Sequence, residues 1–179
     1  VGNPENTKKD AIAAVAWLDQ QAEVDTSKGI GTTGYCMGGP LVMRTMAFVP
    51  DRVKAGGSFH GGGLATAAPT SPHLLVPQMK AKAVLIAVAQ NDDKQDTTVK
   101  EKVKAAFDAQ SIAAEVEVYP AEHGWCPPDS QVFDQVQADL VDLLCDVYVH
   151  QCHKLLAVLV DLLDRKGRDH QAQLAQDDV

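Results

Sequence analysis

The pentapeptide Gly34-Tyr35-Cys36-Met37-Gly38 constrains this chain more than any other feature. It lies between an apolar stretch and a helical one, and has the form G-x-S-x-G with sulfur in place of the hydroxyl. A nucleophile in that setting sits on a sharp strand-to-helix turn that lifts its side chain above a parallel sheet. The flanking glycines are expected because the turn leaves no room for a Cβ on either side and uses unusual backbone angles. The helix that follows aims its N-terminus at the sulfur, and its partial positive charge favours a thiolate. Such a pentapeptide also arises by chance, so the rest of the chain has to carry the reading.

Hydrophobic periodicity predicts an alternation of helix and strand. Residues 8–21 place Ala11, Ile12, Ala14, Val15 and Leu18 on one helical face with Trp17 beside it. A short strand, 29–33, feeds the pentapeptide, and a helix over 38–49 stops near Pro50. Residues 53–59 read as a strand that ends in the loop His60-Gly61-Gly62-Gly63. A polar, proline-bearing loop is expected over 66–77, and the continuous apolar run 81–89 reads as a strand buried on both faces. A helix over 98–109, an alternating strand over 114–119, a loop over 120–130 and a helix to about residue 165 complete the order. Short connections between these elements argue for a parallel sheet flanked by helices.

In such sheets ligands bind beyond the carboxyl ends of the strands. Cys36, His60, Asp92 and His123 all fall at or just after a predicted strand end. A thiol nucleophile needs a base to take its proton, and histidine suits that task. The base in turn needs a carboxylate to fix its tautomer and stabilise the imidazolium. Cys36, His123 and Asp92 supply the three, with Asp93 as the alternative acid and the Met37 N–H as an oxyanion donor. Asp92 has a plainer reading as the cap of the helix after it. His60 is open between lining a substrate pocket and a structural bond in its glycine-rich turn. Tyr35 and Trp125 are further candidates for the pocket wall, Trp125 with packing as its alternative, and His73 reads as structural.

Four separated segments make a resemblance specific: Gly31-Thr32-Thr33-Gly34-Tyr35-Cys36-Met37-Gly38-Gly39, Ser58-Phe59-His60-Gly61-Gly62-Gly63-Leu64, Ser71-Pro72-His73-Leu74-Leu75 and His123-Gly124-Trp125. In that order, over roughly residues 10–138, the chain resembles the dienelactone hydrolase family. The resemblance implies an α/β-hydrolase fold and a Cys-His-Asp triad in the chain order nucleophile, acid, histidine. It also implies hydrolysis of small lactones or carboxylic esters with no metal or organic cofactor. Two departures accompany it. Family members have strands and helices before the nucleophile turn, expected to supply a second oxyanion donor, substrate-anchoring groups and a glutamate that meets the nucleophile. This chain starts at Val1 as if entered partway through a domain, which predicts an unpaired sheet edge. Family members also end near residue 150, which divides the chain into a partial hydrolase domain, 1–150, and a helical extension with a polar tail, 151–179.

Composition narrows the partners. A formal net charge of −8 without a basic run argues against nucleic acid and anionic membrane surfaces. The 179 residues contain no apolar run long enough to span a bilayer and no signal peptide. The cysteines Cys36, Cys126, Cys145 and Cys152 form no CxxC pair or disulfide framework, so a reducing cytoplasm is expected. Cys145, His150, Cys152 and His153 have the ligand types of a zinc site but poor spacing for one. The leucine-rich run 155–163 covers a core or marks a surface for self-association. Two other functions stand against the hydrolase: an inactive hydrolase fragment serving as an interaction module, and a thiol redox sensor using Cys36 and Cys126.

Overall fold

The Asn3 side chain accepts the Glu5 amide at 2.9 Å and caps α1, Pro4–Leu18. Proline follows at the first helical position, where its fixed φ suits the helix and its missing N–H costs nothing. The helix therefore starts before the expected residue 8, because the Asn-Pro start signal lies upstream of the apolar period. Its buried row is Thr7, Ala11 and Val15. Ile12 and Trp17 are exposed, so the apolar face is narrower than the period suggests. The computed structural model describes residues 3–141. The predicted helix beyond 141, the extension 151–179 and Cys145, His150, Cys152 and His153 lie outside the described residues.

The elements that follow are β1, Ile30–Tyr35; α2, Gly38–Phe48; β2, Val53–Phe59; a 3-10 helix, Pro72–Gln78; and β3, Ala83–Ala89. Then come α3, Gln90–Gln95; α4, Thr98–Asp108; and β4, Ala114–Tyr119. A further helix begins at residue 135. The strands form one parallel sheet in the order β1-β2-β3-β4. Gly34 stands opposite Ser58, Ser58 opposite Ile86, and Ile86 opposite Val116.

β2 and β3 are central and buried on both faces, which is why their sequences lack the alternation of a half-exposed strand. On one face Val42, Met43 and Met46 of α2, Val76, and Val103 and Phe107 of α4 pack with Val84, Ile86 and Val116. On the other, Phe59, Leu85, Ala87, Tyr119, Trp125 and Val141 form a second core. Among the described residues β1 has a strand neighbour on one side only. Where a loop was expected over 66–77, Pro72–Gln78 winds into a 3-10 helix that turns Val76 into the core. Proline at its first position supports that turn, and the apolar Leu75 and Val76 give it a face to bury. Arg52, just before β2, ties the end of α1 to the sheet through contacts of 2.7 to 3.1 Å to the Asp19 carboxylate. Its Nη1 also donates to the Lys28 carbonyl.

Candidate active site

β1 ends at Tyr35 and α2 begins at Gly38, so Cys36 and Met37 make the whole turn. Cys36 takes φ 51, a left-handed conformation that costs a non-glycine residue roughly 1 kcal/mol or more. Its amide donates to the Phe59 carbonyl at 3.0 Å and to His60 Nδ1 at 3.2 Å, and its carbonyl accepts from Gly39 at 3.1 Å. The glycines permit this in a way the bare motif does not reveal. A Cβ on Gly34 would lie 2.6 Å from the Gly38 carbonyl oxygen, and one on Gly39 would lie 2.5 Å from Ser58 Oγ. A Cβ on Gly38 would meet nothing within 4 Å. The close approach thus requires Gly34 and Gly39, and not both glycines of the pentapeptide.

The histidine arrives from beyond β4. Its loop is pinned to α3 at two points: Gln90 N–H donates to the Ala121 carbonyl at 2.9 Å, and His123 N–H donates to Asn91 Oδ1 at 2.8 Å. This brings His123 Nε2 to 3.1 Å from Cys36 Sγ and His123 Nδ1 to 2.6 Å from Asp92 Oδ2. Asp92 lies in the first turn of α3, but the cap residue there is Ala89, so its carboxylate is turned to the histidine. Neighbouring Asp93 turns away to Lys100, 2.8 Å from its nitrogen. Cysteine, histidine and Asp92 therefore form one connected chain, from which Asp93 is excluded.

Their electrostatics agree with the geometry. The hydrogen bond from His123 holds the Cys36 thiol below its ordinary range; burial opposes this, and the Met37 amide supports it. Burial pulls His123 down, yet its bonds to Asp92 and Cys36 outweigh that and raise it above the usual imidazole range. Both shifts favour a thiolate beside an imidazolium. The Met37 backbone N–H also acts on the Cys36 sulfur, while the Met37 side chain is 59% exposed.

The other candidates divide. Tyr35 is exposed next to Cys36, with its ring stacked on Phe59 at 5.3 Å. His60 is only 2% exposed and Trp125 is fully buried, so both stand behind the reacting groups. Trp125 stacks on Tyr119 at 5.9 Å and meets the His60 ring at 4.8 Å. His73, the second residue of the 3-10 helix, bonds Ser71 Oγ at the helix start through Nδ1 at 2.8 Å. Cys126 is partly buried and packs against the second core. Asn91 escaped the sequence reading although it supports His123; its only signal was its place beside Asp92. Among the described residues no three His, Cys, Asp or Glu side chains group to hold a metal ion, and no helix is long and apolar enough to cross a membrane.

A parallel sheet carrying a cysteine on the turn after β1, with acid and histidine following β3 and β4, defines an α/β-hydrolase-like protein. The dienelactone hydrolase family model matches residues 2–149, and the chain belongs to that family. A solved structure from Klebsiella pneumoniae subsp. pneumoniae MGH 78578, provisionally described as a dienelactone hydrolase, superposes with a TM-score of 0.69 at 20% identity. The match covers 80% of this chain and 60% of that one. Dipeptidyl peptidase 4 from Porphyromonas gingivalis matches with a TM-score of 0.56 at 18% identity, over 78% of this chain and 22% of that enzyme. These two likenesses concern the fold. The search of curated proteins gave no match.

Proposed function

We propose that the chain is a hydrolase of small lactones or carboxylic esters that works through an acyl-cysteine intermediate. The observation that carries this reading is the unbroken series Cys36 Sγ, His123 Nε2, His123 Nδ1, Asp92 Oδ2, with contacts of 3.1 and 2.6 Å. The thiol gives its proton to His123 Nε2, and Asp92 holds the imidazolium so formed. The thiolate attacks the carbonyl carbon, and the C=O electron pair moves to oxygen beside the Met37 N–H. As the tetrahedral adduct collapses, the C–O bond to the leaving alkoxide breaks and His123 returns the proton to that oxygen. The resulting thioester is cleaved by water. His123 takes a proton from the water, the hydroxide adds to the acyl carbon, and the C–S bond breaks to release the acid and restore Cys36. A donor aimed at the developing oxyanion is worth about 3 kcal/mol, so the Met37 amide alone accounts for roughly a hundredfold.

The test is a burst of p-nitrophenol from p-nitrophenyl acetate, with Cys36→Ala and His123→Ala in parallel. A burst of about one equivalent per chain that both substitutions abolish supports the reading. A folded chain with no burst and no acyl group on Cys36 overturns it and favours a binding role. Peroxide-dependent modification of Cys36 without acyl transfer would favour the redox alternative.

A further inference from the structure

We infer that His60 is a positioning residue for the nucleophile: as a neutral imidazole with its lone pair on Nδ1, it tethers the Cys36 amide and keeps Sγ aimed at His123. This rests on the triad reading above. His60 lies one residue past β2 at φ 41, with its own N–H donating to the Ala87 carbonyl of β3 at 2.9 Å. A buried imidazole in a left-handed backbone is a costly choice unless the ring makes a specific bond. The bond it makes is to the Cys36 N–H, at 3.2 Å. An N–H can be accepted only by an unprotonated nitrogen, so the remaining proton of neutral His60 resides on Nε2.

The surroundings hold that state. Nε2 is buried without a hydrogen-bond partner, beside the Trp125 ring. The titratable groups facing His60 are Tyr35 of β1, Cys36, Asp92 of α3 and His123, whose ring centroid is 5.0 Å away. Of these, Asp92 favours a charged His60, but its carboxylate is engaged with His123 at 2.6 Å. Burial, followed by the positive charge of His123, keeps His60 below the usual imidazole range. A proton on Nδ1 would set a donor against the Cys36 amide and a second cation beside the first. The site therefore has two imidazoles with divided tasks: His123 takes the charge, and His60 stays neutral and holds the turn.

The Cys36 N–H also reaches the Phe59 carbonyl at 3.0 Å, so removing the imidazole does not orphan the amide. Loss of aim is expected rather than loss of fold. Three variants of the full chain separate these outcomes. His60→Asn puts an oxygen near the position of Nδ1, His60→Gln carries its acceptor farther out, and His60→Phe keeps a ring with none. The readouts are the acylation burst and the pH dependence of iodoacetamide alkylation at Cys36, followed by peptide mass spectrometry.

His60→Asn is expected to stay within about threefold of the parent in acylation. His60→Phe and His60→Gln should slow it at least about tenfold, with KM changed less than about twofold. In those two the Cys36 alkylation curve should move to higher pH. Parent-like behaviour of His60→Phe overturns the inference, as does an equal loss in the Asn and Gln variants. If His60→Phe fails to fold, the Asn and Gln pair decides. A parent chain without a burst defeats the hydrolase reading, while the alkylation curves still judge the tether on their own.

Discussion

At the scale of single residues, the site is decided by which carboxylate reaches which nitrogen. Asp92 Oδ2 at 2.6 Å from Nδ1 leaves Nε2 free for the sulfur, whereas Asp93 is held by Lys100. An amide in place of the Asp92 carboxylate would allow the wrong tautomer and remove the support of the imidazolium. Asp92→Asn is therefore expected to slow acylation by about a thousandfold or more, and Asp93→Asn by less than about twofold, both read from the burst rate. The sulfur has its own signature. Its hydrogen bond to His123 depresses the thiol, so the reactive thiolate persists as pH falls below the ordinary thiol range, until the depressed value is passed. His123→Ala removes the first cause of that shift and should move the Cys36 alkylation curve to higher pH, toward that of an ordinary cysteine. An unmoved curve in His123→Ala would show that the thiol is tuned by something other than the histidine.

At the scale of elements, the turn between β1 and α2 is a packing problem as much as a chemical one. Gly39 lets α2 touch the end of β2: an added Cβ would lie 2.5 Å from Ser58 Oγ and 2.7 Å from Gly61 Cα. Gly39→Ala is expected to lower stability by about 2 kcal/mol through forced displacement. Gly38→Ala, with open space at the same turn, should change it by less than about 1 kcal/mol, and urea unfolding compares the two directly. Strand β4 carries a different strain. Glu115 Oε2 is buried without a partner, and burial, then Glu117, raises the carboxyl above its ordinary range. An acid with a raised folded pKa is best tolerated protonated, so the stability of this strand falls as pH rises from the unfolded value through the folded one. Glu115→Gln should thus raise the urea midpoint at neutral pH, and the gain should vanish in acid where both forms are uncharged.

At the scale of the whole molecule, chain order was legible and the registration across the sheet was not. β2 and β4 match their expected bounds because a proline stands close outside each of them, while β1 runs on to Tyr35, past the expected residue 33. The candidate site residues were legible because strand ends in a parallel sheet share one rim. The tether from His60 to Cys36 was not, since it depends on Tyr35 standing opposite Phe59, a pairing that no local pattern encodes. β3 links these layers. Its Ala87 carbonyl anchors His60, and Gln90 and Asn91, just beyond its end, bind the His123 loop. A site so distributed should be lost together with the sheet. The two tryptophans allow this to be measured, because Trp17 is 61% exposed and Trp125, beside His60, is fully buried. In Trp17→Phe the remaining emission comes from the site itself and should resist acrylamide quenching. Its urea transition should coincide with those of the far-ultraviolet circular dichroism and of the acylation burst, as a cooperative unit requires. An earlier loss of burst and fluorescence, with the circular dichroism intact, would instead make the His123 loop a separately unfolding segment whose two pins to α3 are too weak to bind it to the sheet.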